Sequence, residues 1–353
     1  MSQIPIPIAQ HNIGADYPPF IIAEMSGNHN QSLERALAII DAAAASGAHA
    51  LKLQTYTADT MTLDVDAPGF RIDNPQSLWQ GRSLYDLYNE AHTPWDWHAA
   101  LFARCAEQGM VCLSTPFDAS AVDFLEDLGA PAYKIASFET VDLPLIRKTA
   151  ETGKPLIIST GMASLAEIDE AVRTVRETGN SQLILLQCTS TYPASPEASN
   201  LRTIAHMQQA FDVQVGLSDH TLGIGVALAS VALGARVIEK HFTLSRADGG
   251  VDAAFSLEPE EMRALVQESR RAWQALGEVS YGVKAQEQGS LVFRRSLYIS
   301  QDLRAGDVLT PENLRAIRPG YGLPPKYYTT LLGKRLAKDV RKGTPMHWDL
   351  LSD

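Results

Sequence analysis

From residue 20 to about residue 242, short runs rich in Ile, Val and Leu alternate with longer stretches whose apolar positions recur at three- and four-residue spacing. That beat predicts parallel strands joined by crossover helices. The short runs fall at Phe20–Ser26, His49–Gln54, Met110–Thr115, Ala132–Ser137, Pro155–Thr160, Leu183–Thr189, Val213–Ser218 and Val237–Phe242. Between them SLERALAIIDAAAASG, ASAVDFLEDLG, SLAEIDEAVRTVRETG and LGIGVALASVALG read as helices, several closing on the Gly expected just past a helix end. Eight such repeats in roughly 250 residues predict an α/β fold of the (β/α)8 TIM-barrel type.

One interval breaks the beat. From Tyr56 to about Trp95, between the second and third strands, acidic, Gly and Pro residues mix with aromatics, which reads as an excursion on the catalytic face that shapes a substrate pocket. After Gly277 the rhythm changes again. The expected organisation is a barrel over residues 1–278, a polar linker over 279–292, and a basic, turn-rich domain over 293–353.

Composition narrows the class. Hydrophobic residues at 45% and charged residues at 20% argue against a disordered chain. A net charge of −11 makes the average surface repel nucleic acid, so an anionic ligand needs a few cations converging in one pocket. Cys105, Cys112 and Cys188 show no close zinc spacing and read as reduced filler. The N-terminal stretch lacks the pattern of a signal peptide, and no apolar run approaches the roughly 20 residues of a membrane span, so a soluble, cytoplasmic protein without membrane partners is expected.

In a TIM barrel the functional groups sit at the C-terminal strand ends. Here those ends carry Glu24, Lys52 with Gln54, Thr115, Lys134 with Ser137 and Glu139, Ser159, Ser190 with Tyr192, Ser218 with His220, and Glu239 with His241. Alternation turns Lys52 and Gln54 to one face, as it does Glu239 and His241, whereas Lys240 points to the helix layer. Lysines 52 and 134 buried toward one axis call for a neutralising anion. Hydroxyls from Thr115, Ser137, Ser159 and Ser218 suit phosphate oxygens. His220 and His241, on adjacent strands, suit a divalent transition ion. The histidines at 11, 49, 92, 98, 206 and 347 form no comparable pair in the sequence and read as surface or packing residues.

The runs IAEMSGNHNQ (22–31), LKLQTYTADTMTL (51–63), LSTPFD (113–118), YKIASFE (133–139), IISTGM (157–162), CTSTYP (188–193), GLSDHTLG (216–223), VIEKHF (237–242) and RRSLYISQDLRAGDVLTPENLRAIRPG (294–320) resemble the sialic acid synthase family, in order and over nearly the whole chain. The NHNQ, QTYT and SLYDLYNEAHTPWDWH segments look like the branch that acts on a 6-deoxy sugar to make pseudaminic acid; N-acetylneuraminate and legionaminic acid are the neighbouring products. The resemblance implies a TIM barrel followed by a small antifreeze-like (SAF) domain, in a domain-swapped homodimer. It implies condensation of phosphoenolpyruvate (PEP) with an N-acylated amino sugar, assisted by a divalent metal, usually manganese, with magnesium or cobalt as further candidates. By resemblance, Lys52, Thr115, Lys134, Ser137, Ser159 and Ser218 hold PEP, and His220 and His241 hold the metal. Glu24, Gln54, Tyr192 and Asp252 line the sugar site, which Arg318 of a second chain completes. Ser190 stands where the neuraminate branch commonly has Asn, and Glu24 or Glu139 carries the proton. Two rival readings start from the same residues: a Schiff-base aldolase using Lys134 or Lys52, and a carbohydrate-binding SAF module on an inactive barrel.

Overall fold

The computed structural model describes residues 4–75 and 77–352. A hairpin that the apolar pattern did not announce opens the fold: β1 (Ile6–Ile8) pairs antiparallel with β2 (His11–Ile13). The eight expected runs then follow as β3 (Phe20–Glu24), β4 (Ala50–Thr55), β5 (Val111–Pro116), β6 (Tyr133–Ile135), β7 (Leu156–Ser159), β8 (Leu183–Cys188), β9 (Gln214–Asp219) and β10 (Val237–His241). Each pairs parallel with the next, and β10 pairs with β3, so the sheet closes into a barrel.

The two faces of each strand explain the layering. Outward residues such as Ile21, Leu51, Leu53, Ile158, Leu185 and Ile238 pack in the main core with the helices. Inward residues near the strand starts, among them Ile22, Ala50, Val111, Ile157, Ile184 and Val237, form an apolar plug with Ile6, Ile8 and Ile13 of the hairpin. Two residues further along the same inner faces the side chains become polar: Glu24, Lys52, Thr115, Lys134, Ser159, Ser218 and Glu239, all buried. This is one inward-facing layer of the barrel, occupied by chemistry instead of hydrocarbon.

Local signals set the helix ends. The helix Leu165–Glu177 starts with a capping box in which Ser164 and Glu167 satisfy each other's backbone N–H groups. The long interval contains the helices Ala58–Met61 and Leu84–Ala91. His11 and His49, read above as unpaired, do meet: their rings lie 5.2 Å apart, and Phe20 stacks on His49. The reason is packing. His49 Nδ1 accepts the Ile21 N–H, and burial pushes its pKa down to about 4, so the ring is neutral.

Contacts divide the chain into Met1–Gly277 and Glu278–Asp353. In the second unit β11 (Ser296–Ile299) pairs antiparallel with β12 (Leu314–Ile317) over a core that includes Leu297, Ile299, Leu309, Leu331 and Met346. Part of the stretch expected as linker, Ala285–Phe293, is wound into 3-10 turns. No described helix is long and apolar enough to cross a membrane.

Candidate active site

Strand register assembles four charges in the polar layer. Glu24 stands beside Lys52 on the neighbouring strand, and Lys52 Nζ lies 2.8 Å from Glu24 Oε2 and 3.4 Å from Glu239 Oε1. Lys134 Nζ lies 3.8 Å from the same Glu239 oxygen. The expectation that an external anion must neutralise the lysines is thereby corrected, because Glu24 and Glu239 already do so from within the chain. Glu239 is the residue that sequence reasoning placed on the inner face without giving it a part.

Burial pushes the Glu24 carboxyl up, Lys52 pulls it back and Glu239 adds to the rise, leaving it at about 7. Burial alone would also raise Glu239, but Lys134 and Lys52 hold it below the ordinary carboxylate value. Lys52, which burial would lower, is held above its usual value by Glu239 and Glu24. Lys134 is lowered, first by burial and then by Lys52, against the pull of Glu239. A Glu24 that can become neutral near neutral pH leaves the layer able to accept another anion.

The hydroxyls ring this cluster. Thr115 Oγ1 accepts from Lys52 Nζ at 3.2 Å, and Ser218 Oγ donates to Glu239 Oε1 at 3.4 Å. Ser159 Oγ is buried with no partner. Ser137 Oγ accepts the Gly161 N–H at 3.1 Å. A Cβ on Gly161 would overlap the hydroxyls of both Ser190 and Ser137, so the missing side chain keeps a polar cradle open.

His220 and His241 face one another with ring centroids 5.3 Å apart. His220 Nδ1 is 2.9 Å from the Thr189 carbonyl, an acceptor only, so Nδ1 carries a proton; burial would lower the pKa of this ring, but Cys188, the Thr189 carbonyl and Glu239 hold it above its ordinary value. His241 Nδ1 is buried and unpartnered, 3.7 Å from Asp252 Oδ2. Burial, the neighbouring His220 and the lysines push the His241 pKa well down, so its ring is neutral. Among the described residues no three His, Cys, Asp or Glu side chains gather around one cation position. The donor set therefore fits a divalent ion only as two imidazoles, completed by water or substrate oxygens.

Behind the barrel wall, Lys240 Nζ donates to Asp219 Oδ2 at 3.0 Å and to the carbonyls of Thr221 and Gly223, tying the loop after His220 to the strand that carries His241. Cys188, expected to be filler, sits with Sγ 3.9 Å from His220 Nδ1. Burial would raise this thiol, but His220, Ser137 and Lys134 bring it to about 7.

A cavity of about 440 Å³ opens above the layer. Gln54, Glu139, Tyr192, His241 and Asp252 are among its polar lining residues; the interval contributes the apolar Met61, Ile72, Leu84 and Leu87 together with Asn74 and Ser77. Gln54 Nε2 donates to Glu24 Oε1 at 2.8 Å, linking cavity to layer. Tyr192 packs 4.5 Å from His220. Glu139 has one buried oxygen without a partner, and burial pushes its pKa up to about 7. Arg318, exposed, lies in the second unit.

The NeuB family model matches residues 39–281, and the SAF domain model matches residues 294–352. The chain belongs to the NeuB family. Within the family it is 44% identical, over 94% of its length and 96% of the relative, to the pseudaminic acid synthase of Campylobacter jejuni subsp. jejuni serotype O:2. It is 40% identical to the pseudaminic acid synthase of Helicobacter pylori, over 94% of this chain and 97% of that one. Among solved NeuB-like structures, the N-acetylneuraminic acid synthetase of Leptospira borgpetersenii serovar Hardjo-bovis superposes with a TM-score of 0.73 at 32% identity, covering 82% of this chain and 96% of that one.

Proposed function

We propose that this chain condenses PEP with 2,4-diacetamido-2,4,6-trideoxy-L-altropyranose to give pseudaminic acid and inorganic phosphate. The observation that carries the reading is the buried layer of Lys52, Lys134, Glu24 and Glu239. It lies beneath a cavity lined by both polar and apolar side chains. The names carried by relatives at 40–44% identity support the same choice of product.

Lys52 and Lys134, with the hydroxyls of Thr115, Ser137, Ser159, Ser190 and Ser218, take the phosphate and carboxylate of PEP. C3 of the enol ester attacks the open-chain aldehyde and forms the new carbon–carbon bond. C2, left electron-poor, takes water, and the tetrahedral centre collapses by breaking its bond to the bridging oxygen, which leaves with phosphate. The two lysines offset the charge on that leaving group. His220 and His241 would hold a divalent cation, manganese before magnesium or cobalt, which would supply Lewis-acid polarisation of the aldehyde. Glu24 and Glu139, each with a pKa of about 7, are poised to carry the proton at neutral pH. Gln54, Tyr192 and Asp252 orient the sugar.

The working form is a homodimer in the cytoplasm. Eleven basic against six acidic residues between Arg294 and Asp353 suit the SAF domain to an acidic barrel. Exposed Phe138, Val141, Met162 and Leu222 on loops after the strands offer an apolar rim for it, with Arg318 of the partner completing the acceptor site. The lowered pKa of Lys134 is the one observation that favours a Schiff-base mechanism; borohydride trapping of substrate on the protein is the outcome that would establish it.

The test is incubation with PEP, manganese and a panel of acylated amino sugars, with mass analysis of the product. A nine-carbon acid from the 6-deoxy acceptor and little from N-acetylmannosamine is expected. Comparable efficiency on N-acetylmannosamine would overturn the choice of branch.

A further inference from the structure

The interval between β4 and β5 lines the cavity, and one of its contacts with the rest of the barrel lies at Val251. Trp79 Nε1 donates to the Val251 carbonyl at 3.0 Å, and its ring stands 5.9 Å from that of Tyr192. The Val251 side chain fills the space that a side chain at residue 27 would need. A Cβ on Gly27 would overlap Val251 Cγ2 and lie 3.2 Å from the Ala91 backbone. Three segments far apart in sequence therefore meet at Val251: the turn after β3, the interval, and the loop after β10. The next residue is Asp252, whose carboxylate accepts from Ser26 and lies 3.7 Å from His241 Nδ1. The anchor of the apolar wall and the carboxylate beside the imidazoles are adjacent residues.

We propose that Trp79 is a positioning residue for acceptor choice, acting through Val251 to set both the apolar wall and Asp252. The wall suits a sugar that presents methyl groups, from a 6-deoxy carbon or an N-acyl substituent. A methyl group packs against Leu84 and Leu87, whereas a hydroxyl set against those two side chains gains no hydrogen bond from them. Seating the correct acceptor and aligning Asp252 are then a single event, because both surfaces hang on Val251. The inference rests on the reading of this cavity as the acceptor site of a synthase.

Trp79→Phe tests it by keeping the ring and removing the donor. The acceptor KM should rise on the order of five-fold, the weight of one neutral hydrogen bond. The KM for PEP and the melting temperature should stay as in the wild type, and the preference for the 6-deoxy acceptor over N-acetylmannosamine should shrink by a similar factor. Gly27→Ala pushes Val251 from the other side and should give the same split. Unchanged acceptor kinetics in both variants, or equal rises in the two KM values, would overturn the proposal. Should the wild type turn over no acylated amino sugar, the proposed function fails instead. The latch is then read from amide exchange over residues 58–91, which Trp79→Phe accelerates if Val251 anchors the interval and leaves unchanged if it does not.

Discussion

Replacing Glu239 by Gln removes one of the two negative charges that hold Lys52 and Lys134 inside the barrel, while the shape of the side chain is kept. At the observed separations of 3.4 and 3.8 Å, each attraction is worth about 4 to 5 kcal/mol at an effective dielectric of about 20. The cost of keeping the carboxylate itself from water opposes them, so the expected loss is that of breaking a buried pair on one side, about 3 to 5 kcal/mol. For a domain of this size each kcal/mol moves the melting temperature by roughly 2 to 4 °C, so Glu239→Gln should melt roughly 10 °C lower. The layer is then left with excess positive charge. Inorganic phosphate should therefore raise the melting temperature of the variant by more than that of the wild type, measured against chloride at equal ionic strength. An unchanged melting temperature, or equal stabilisation of both proteins by phosphate, would refute the coupling of these charges.

The pKa of Glu139 is raised from 4.5 to about 7 in the folded chain. Its contribution to stability is therefore fully present below about pH 4.5 and lost as pH rises through about 7. Glu139→Gln should gain stability relative to the wild type as chemical denaturation is repeated from pH 5 to pH 8. Gly161→Ala places a methyl group against Ser137 and Ser190; the KM for PEP should rise about ten-fold or more, with acceptor KM little changed in steady-state assays. Arg318→Ala changes an exposed side chain of the second unit, so turnover should fall at least about ten-fold at an unchanged melting temperature.

Much of this fold was legible because parallel strands buried on both faces read as short, nearly continuous apolar runs. The alternation within those runs also carried the site: once Lys52 was placed inward, so were Gln54 two residues later and, on other strands, Lys134 and Glu239. What alternation does not contain is register. Only the neighbouring strand places Glu24 beside Lys52, and only barrel closure brings β10, with Glu239, against β3. The buried lysines therefore looked unneutralised until the sheet was closed. The hairpin of β1 and β2 was missed because each strand is three residues long and one contains Pro7. Its His11 meets His49 only after the chain folds back. Cys188 gave no sign in sequence because its character comes from His220, thirty-two residues away. The Trp79–Val251 contact spans 172 residues and rests on a backbone carbonyl, which no side-chain pattern can announce.

The central claim is that PEP is bound as donor in the polar layer and loses phosphate by carbon–oxygen cleavage. PEP labelled with 18O at the bridging oxygen, turned over with the 6-deoxy acceptor, should deliver the label to inorganic phosphate and leave the keto acid unlabelled before exchange. Label retained at C2 of the product, or phosphate released at the same rate without any acceptor, would contradict the account.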